Sequence, residues 1–285
     1  MASVALVTDS TAYLPPALLE QYKIASIPLY VRFGEEVFRD GVDMTPEQFY
    51  ARLPTVTAET FPATSQPSAG DFIALYRRLV QEGASSILSI HISSKLSGTV
   101  ASALLAQDQV PEVPIQVVDS LSTSMGLGYQ ALAAARALET GRPVEEIVHS
   151  LETIREQVRI LFVVDTLEFL HKGGRIGGAQ AFLGSLLNLK PLLTLKDGHV
   201  DAVERVRMKK RALQRALDLL SAEAAGRPVR AAVIHAAARG EAEAISQEMR
   251  SRLDCRELHI VELSPAIGTH TGPGTIGFVV SPLES

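Results

Sequence analysis

The chain has 285 residues, of which 46% are hydrophobic and 21% charged, and its formal net charge is −5 at pH 7. This length allows one large domain or two moderate ones, and the composition is that of an ordinary globular protein. The negative charge argues against a general binder of nucleic acid or of an anionic membrane surface, because neither polyanion would attract the chain.

Cysteine content and hydropathy predict the compartment. Cys255 is the only cysteine, which excludes an internal disulfide and fits a reducing cytoplasm. The N-terminus enters a predicted strand at once, without the basic and apolar segments of a secretory signal, and no apolar run reaches the ~18 residues of a membrane span. We expect a cytoplasmic protein that has only transient membrane contact.

In the N-terminal half, short apolar runs alternate with helical patterns. The predicted strands cover 4–8, 24–31, 87–90, 115–119 and 160–165, and the predicted helices cover 15–22, 45–53, 71–81, 100–106, 122–139 and 143–158. Such an alternation predicts a mainly parallel sheet with helices on both of its faces.

The pattern changes in the C-terminal half. Asp197-Gly198 between two apolar runs predicts a hairpin. Helices are predicted over 209–223 and 241–253, strands over 229–236, 258–263 and 275–280, and a glycine-rich loop over 267–274. We predict two domains: an N-terminal α/β domain over 1–163, and a smaller α/β domain over 164–285.

Four loops rich in hydroxyl groups or glycine lie beside predicted strand ends. They are Asp9-Ser10-Thr11, Thr64-Ser65-Gln66, Ser93-Ser94 and the segment 268–274. Strand ends of an open α/β sheet are where ligands dock, and the helix predicted after Ser93-Ser94 offers free N–H groups to an anion. These residues could equally serve only to cap the helix and close the turn.

Several enzyme signatures are missing from the sequence. It contains no G-x-x-x-x-G-K-[S/T] phosphate loop, no H-E-x-x-H zinc motif and no G-x-S-x-G nucleophile elbow. The sequence therefore predicts no nucleotide, cofactor or metal ion. A hydrolase whose Ser, His and Asp come from distant segments stays open, because such triads are defined by geometry.

Six segments together resemble one known family. They are 7–12 (VTDSTA), 64–68 (TSQPS), 93–99 (SSKLSGT), 172–176 (KGGRI), 205–207 (RVR) and 269–278 (THTGPGTIGF). They occur in the family's order and span nearly the whole chain. With these residues the chain resembles the DegV family of bacterial fatty-acid-binding proteins, which includes the binding subunits of fatty acid kinase.

The resemblance implies a two-domain fold of the EDD type, with a long-chain fatty acid such as palmitate or oleate in a slot between the domains. Thr64 and the Ser93-Ser94 pair would bind the carboxylate, and of that pair we favour Ser93. Ser65 and Arg175 are second choices for the same role. Apolar residues of the segment 182–187 are candidates for the slot wall, although ordinary core packing explains them as well.

The resemblance also implies a partner. The protein would be a carrier rather than an enzyme, presenting the carboxylate to a separate ATP-binding fatty acid kinase that forms acyl phosphate. His270 would lie near the carboxylate, and His270 and Arg207 would serve the phosphoryl-transfer step or kinase docking. Two alternatives remain: an acyl-ester hydrolase using Ser93 or Ser94 with His270, and a lipid-responsive sensor.

Overall fold

The computed structural model describes residues 3–183 and 190–283, which form an α/β fold with three β-sheets. The strands are β1 (Val4–Asp9), β2 (Ile24–Ile27), β3 (Tyr30–Phe33), β4 (Glu36–Arg39), β5 (Ala63–Ser65), β6 (Ser86–His91), β7 (Ile115–Asp119), β8 (Arg159–Val163), β9 (Lys190–Lys196), β10 (His199–Val206), β11 (Val229–His235), β12 (Cys255–Glu262) and β13 (Ile276–Pro282). The helices are α1 (Pro16–Gln21), α2 (Pro46–Arg52), α3 (Ala69–Gln81), α4 (Thr99–Gln107), α5 (Met125–Glu139), α6 (Val144–Gln157), α7 (Glu168–Lys172), α8 (Lys209–Ala224), α9 (Arg239–Arg252) and α10 (Pro265–Thr271).

The first sheet is parallel throughout, in the order β2-β1-β6-β7. Successive side chains of a strand point to opposite faces. Val7 and Ile87 accordingly pack in the core formed with α3 and α4, whereas Leu6 and Leu88 pack in the core that contains α5. The predicted parallel sheet with helices on both faces is confirmed.

The second sheet has six strands in the order β10-β9-β8-β13-β11-β12, and only its β11–β12 pair is parallel. Leu161 on β8 packs in the core formed with α8 and α9, whereas Phe162 faces the core that contains α5. Nearly every residue of α5 is buried, because this helix lies between the two sheets. The hairpin predicted at Asp197-Gly198 joins β9 to β10 and is confirmed.

Strand β8 pairs with β9 and β13 of the six-stranded sheet. If the chain were divided between the parallel sheet and the six-stranded sheet, the boundary would therefore lie between α6 and β8, a few residues before position 163. The core around α5 takes residues from both sheets, so one apolar interior spans the proposed boundary. The two domains over 1–163 and 164–285 stay a prediction.

The third sheet is a small antiparallel one in the order β4-β3-β5. It corrects two predictions made from the sequence. The single strand predicted over 24–31 is two strands in different sheets, because the chain turns at Pro28. The charged segment 34–41, for which the sequence pattern indicates a turn rather than a strand, contains β4.

The glycine-rich loop predicted over 267–274 is largely a helix, α10. Pro265 at its first position fits a helix start, and Gly272, with φ of 73°, ends the helix. Gly268 lies inside the helix, where a Cβ would come within 2.6 Å of the Tyr50 hydroxyl and 2.9 Å of the Phe49 ring. This glycine thus allows α10 to pack closely against α2 rather than marking a loop.

Candidate functional site

A cavity lies between the carboxyl-terminal end of the parallel sheet and the inner face of the six-stranded sheet. It contains about 880 Å³ of space between atoms, part of which is open solvent. Its described apolar lining consists of Leu29, Ile92, Leu96, Ile160, Phe162, Leu170, Leu195, Val200, Ile234, Leu263, Ala266 and Ile267. Connections that follow β6 and β7 form one wall, the location at which open α/β sheets bind ligands.

Thr64 and His270 form a hydrogen-bonded pair in the cavity wall. Thr64 lies on β5 and His270 on α10, and the Thr64 Oγ1 to His270 Nε2 distance is 2.8 Å. Burial, with a smaller contribution from the charge of Arg175, lowers the pKa of His270 to about 3. The imidazole is therefore neutral at physiological pH and carries one N–H.

The position of that proton follows from the surroundings of the ring. His270 Nδ1 is buried without a hydrogen-bond partner among the described residues and lies against Gly173. A buried donor with no acceptor costs more than an unfilled lone pair, so we assign the proton to Nε2. His270 then donates to the Thr64 oxygen, which leaves the Thr64 O–H free to donate to an acceptor in the cavity.

Arg175 is the one charged side chain of the described lining, because the His270 imidazole is neutral. Its Nε donates to the Leu96 carbonyl oxygen at 3.0 Å, and its Nη1 donates to the Gly173 carbonyl oxygen at 2.8 Å. These bonds fix the guanidinium between the connection after β6 and the end of α7. Because Gly173 also packs against the His270 ring, this cation lies near the Thr64–His270 pair.

The structure does not bring Ser93 and Ser94 to the described lining, which differs from the expectation. The Ser93 hydroxyl is fully buried and donates to the Gly198 carbonyl oxygen at 2.9 Å, because the β9–β10 hairpin packs over this serine. Ser94 is exposed. The same connection contributes Ser97 to the lining instead, with its hydroxyl 2.9 Å from that of Thr99.

The remaining predicted residues separate into two places. Ser65 lines the cavity together with Thr64. Arg207 is exposed in the bend between β10 and α8, outside the lining. Within the segment predicted to line the slot, Phe182 is partly buried against the core and Leu183 is exposed, and neither belongs to the described lining. Positions 184–187 of that segment lie outside the described residues.

Sequence reasoning missed Thr123 and Ser124 of the lining. It singled out the segments that contain the lining residues Gln66, Ser97, Thr271 and Thr275, but it gave these four residues no role. Gln66 lies beside the connection after β6, since a Cβ on Gly98 would meet its Nε2 at 3.0 Å. Thr123 and Ser124 immediately precede α5. Hydroxyl side chains at the start of a predicted helix are a signal available in the sequence, although such residues most often only cap the helix.

A hydrogen-bonded Ser-His-Asp network does occur, but it lies away from the cavity lining. The Ser89 hydroxyl is 2.7 Å from His91 Nε2, and His91 Nδ1 is 3.1 Å from the Asp9 carboxylate. All three side chains are fully buried, and the Tyr76 hydroxyl bonds to Ser89 at 2.8 Å. No substrate reaches this serine, so the network joins β1 to β6 rather than forming a hydrolase centre.

The hydrolase alternative also needs a base beside Ser93 or Ser94. The hydrogen bond of His270 Nε2 goes to Thr64, and the Ser93 hydroxyl is bonded to Gly198. Among the described residues, neither Ser93 nor Ser94 therefore forms the serine–histidine pair that this alternative requires. Over residues 3–183 and 190–283, no group of three or more His, Cys, Asp or Glu side chains could hold a metal ion, and no helix is long and apolar enough to cross a bilayer.

Comparison with known proteins identifies the family. The family model described as "Uncharacterised protein, DegV family" matches residues 3–283. A DegV domain-containing protein from Streptomyces coelicolor is 41% identical over 279 residues, which cover 98% of this chain and 98% of that protein.

Solved structures give the same result. A DegV family protein from Thermus thermophilus, described for its fatty acid binding, is 43% identical with a TM-score of 0.93 and covers 99% of this chain and 100% of its own. DegV from Bacillus subtilis, described as a fatty acid binding protein, is 37% identical with a TM-score of 0.90 and covers 99% and 100% of the two chains. The chain belongs to the DegV family.

Proposed function

We propose that this protein binds a long-chain fatty acid in the cavity, with the carboxylate at Thr64 and Arg175 and the acyl chain along the apolar walls. The observation that carries the proposal is the Thr64–His270 pair beside Arg175, in a cavity whose other lining is mostly apolar. The relatives described as fatty acid binding support it.

The polar groups are suited to one carboxylate. Arg175 supplies the countercharge, and the Thr64 O–H, oriented by the neutral His270, supplies a directed donor. A carboxylate is costly to bury unless it is paired and hydrogen-bonded, and here both conditions can be met. An alcohol or an ester would forgo the charge interaction with Arg175.

The apolar walls would contribute most of the affinity. Burying about 14 methylene groups of a C16 chain at ~0.8 kcal/mol each gives on the order of 11 kcal/mol before the costs of ordering the chain. The carboxylate contacts would then mainly fix the orientation of the ligand and select acids.

Native mass spectrometry of the purified protein, followed by solvent extraction and lipid identification, tests this binding. We expect a fatty acid at about one equivalent. After delipidation, we expect palmitate or oleate to rebind at least ~10-fold more tightly than the matching methyl ester, because the ester cannot ion-pair with Arg175. A protein that carries no fatty acid and takes up neither acid would refute the proposal.

We further propose that the bound acid is presented to a separate ATP-binding fatty acid kinase, which forms acyl phosphate. This part rests on the family resemblance and on the exposed Arg207 at the bend before α8. An exposed arginine outside the cavity can dock a partner or a phosphate without contacting the acyl chain.

The Arg207→Ala variant separates binding from presentation. We expect unchanged fatty acid affinity and at least ~10-fold slower acyl-phosphate formation with kinase and ATP, because one charge-assisted contact contributes about 1.5–3 kcal/mol. Arg250→Ala, which removes an exposed arginine from α9, is the control and should react like the wild type. If the wild-type protein binds fatty acid but yields no acyl phosphate, the proposed presentation to a kinase is wrong and the result favours the lipid-responsive sensor.

A further inference from the structure

The cavity has a second polar group of side chains, Thr123 and Ser124, which lie where the connection from β7 enters α5. Both residues line the cavity, Ser124 is buried with 3% exposed, and Thr123 is half-buried with its Oγ1 atom buried. Neither Thr123 Oγ1 nor Ser124 Oγ has a hydrogen-bond partner among the described residues. A buried hydroxyl without a partner is destabilising, so two adjacent ones require an explanation.

Other hydroxyls of the same lining do have partners. Thr64 bonds to His270, and Ser97 bonds to Thr99. Thr271 donates to the Ile267 carbonyl oxygen at 3.2 Å, within its own helix. Thr123 and Ser124 are therefore distinguished from these residues because their buried hydroxyls have no hydrogen-bond partner at all among the described residues.

The two polar groups of the cavity are held by different elements. Gly126 in the first turn of α5 lies against the Ile160 side chain, which places the start of α5 beside β8. His270 instead lies against Gly173 at the end of α7. A ligand whose carboxylate is at Thr64 and Arg175 would meet the start of α5 with another part of its chain.

We propose that Thr123 and Ser124 form a second polar subsite, which binds a hydroxyl group on the acyl chain. The preferred ligand class is then a hydroxylated long-chain fatty acid, and this inference rests on the proposed function. A hydroxyl group both donates and accepts, so it can complete the bonding of Thr123 and Ser124 together.

A neutral group fits this subsite better than a second carboxylate. The described lining supplies one permanent cation, Arg175, and that side chain is held beside the Thr64–His270 pair. A second buried carboxylate would lack a countercharge there. The N-terminus of the 15-residue helix α5 still favours the partial negative charge of a ligand oxygen.

The test compares stearic acid with monohydroxystearic acids that carry the hydroxyl near the carboxylate, at mid-chain or near the terminus. Affinities are measured by isothermal titration of the delipidated full-length protein. We expect at least one hydroxy acid to bind about five- to tenfold more tightly than stearic acid, which corresponds to one or two new neutral hydrogen bonds. The Thr123→Val, Ser124→Ala double variant should lose this preference, so that the ratio of the two affinities falls to about one.

Thr140→Val is the control, because Thr140 lies at the opposite end of α5, outside the described lining, and its hydroxyl donates to the Ala137 carbonyl oxygen at 2.8 Å. This variant should keep the wild-type ratio of affinities. The inference is overturned if no hydroxy acid binds more tightly than stearic acid, or if the double variant keeps the preference. If no fatty acid binds at all, the proposed function fails with it, so the two failures are distinguishable.

Thermal unfolding of the unliganded protein gives an independent readout. Thr123→Val replaces a buried hydroxyl that has no partner with a methyl group, so its Tm should equal or exceed that of the wild type. Thr140→Val removes a bonded hydroxyl and should lower the Tm. A Thr123→Val protein that melts lower than Thr140→Val would show that the Thr123 hydroxyl is already bonded within the protein, which overturns the inference.

Discussion

The Gly173→Ala variant is expected to lose fatty acid binding by tenfold or more while remaining folded. A Cβ at this position would overlap His270 Nδ1 and would come within 3.0 Å of the Phe169 carbonyl oxygen. His270 would have to rotate away, and Thr64 would then lose the partner that orients its hydroxyl. The loss is assigned to the carboxylate site because Gly173 packs against His270 and its carbonyl oxygen accepts from Arg175. Displacement of a fluorescent fatty acid measures it.

The substitution isolates this steric effect from backbone strain. Gly173 has φ of −76° and ψ of −6°, a conformation that alanine adopts without cost. Gly240 on α9 is the matched control, since an added Cβ there has no atom within 4 Å and the backbone is not left-handed. Gly240→Ala should bind like the wild type and be slightly more stable. Affinity of Gly173→Ala within twofold of the wild type would contradict the role given to His270.

The sequence predicted the parallel part of the fold well for a physical reason. Strands buried on both faces are continuous apolar runs, and β6 over Ser86–His91 is buried almost throughout. Turn chemistry was equally informative at Asp197-Gly198, where both residues have positive φ, as the hairpin requires. Such local signals do not depend on distant parts of the chain.

Predictions failed where a tertiary contact overrides the local signal. Gly268 is typical of a loop by composition, yet it lies within α10. A glycine is needed there because the Tyr50 and Phe49 side chains occupy the space that a Cβ would fill. The apolar run over 24–31 predicts one strand, whereas at Pro28 the chain leaves one sheet for another. Neither packing partner is near in sequence.

The candidate site shows the same limit. Thr64, Ser65, Arg175 and His270 reach the cavity lining, and they were selected through the family resemblance. The direction in which Ser93 points could not be predicted, because it depends on the carbonyl group of Gly198, 105 positions further along the chain. Which hydroxyl of a serine-rich turn faces a ligand is decided by such distant packing.

The Asp9→Ala variant is expected to lose about 3–5 kcal/mol of unfolding free energy, which is a large share of the ~5–15 kcal/mol of a typical domain. The Asp9 carboxylate is fully buried and accepts four hydrogen bonds. Two come from the backbone N–H and the hydroxyl of Thr11, one from His91 Nδ1 at 3.1 Å, and one from the Ile92 N–H at 2.8 Å. Alanine would leave all these donors buried without an acceptor.

Asp43→Ala is the control, because Asp43 also accepts several hydrogen bonds, all from Arg39, but at the surface. Water replaces such bonds when they are lost, so this variant should change stability by no more than about 1 kcal/mol. Urea unfolding measures both variants, with equal m-values required for the comparison. Ile92 lines the cavity, and its backbone N–H donates to Asp9. An Asp9→Ala protein that still folds should therefore also bind fatty acid more weakly. If the two variants lost the same free energy of unfolding, burial would not make the Asp9 hydrogen bonds more stabilising than the exposed ones of Asp43, which would contradict this prediction.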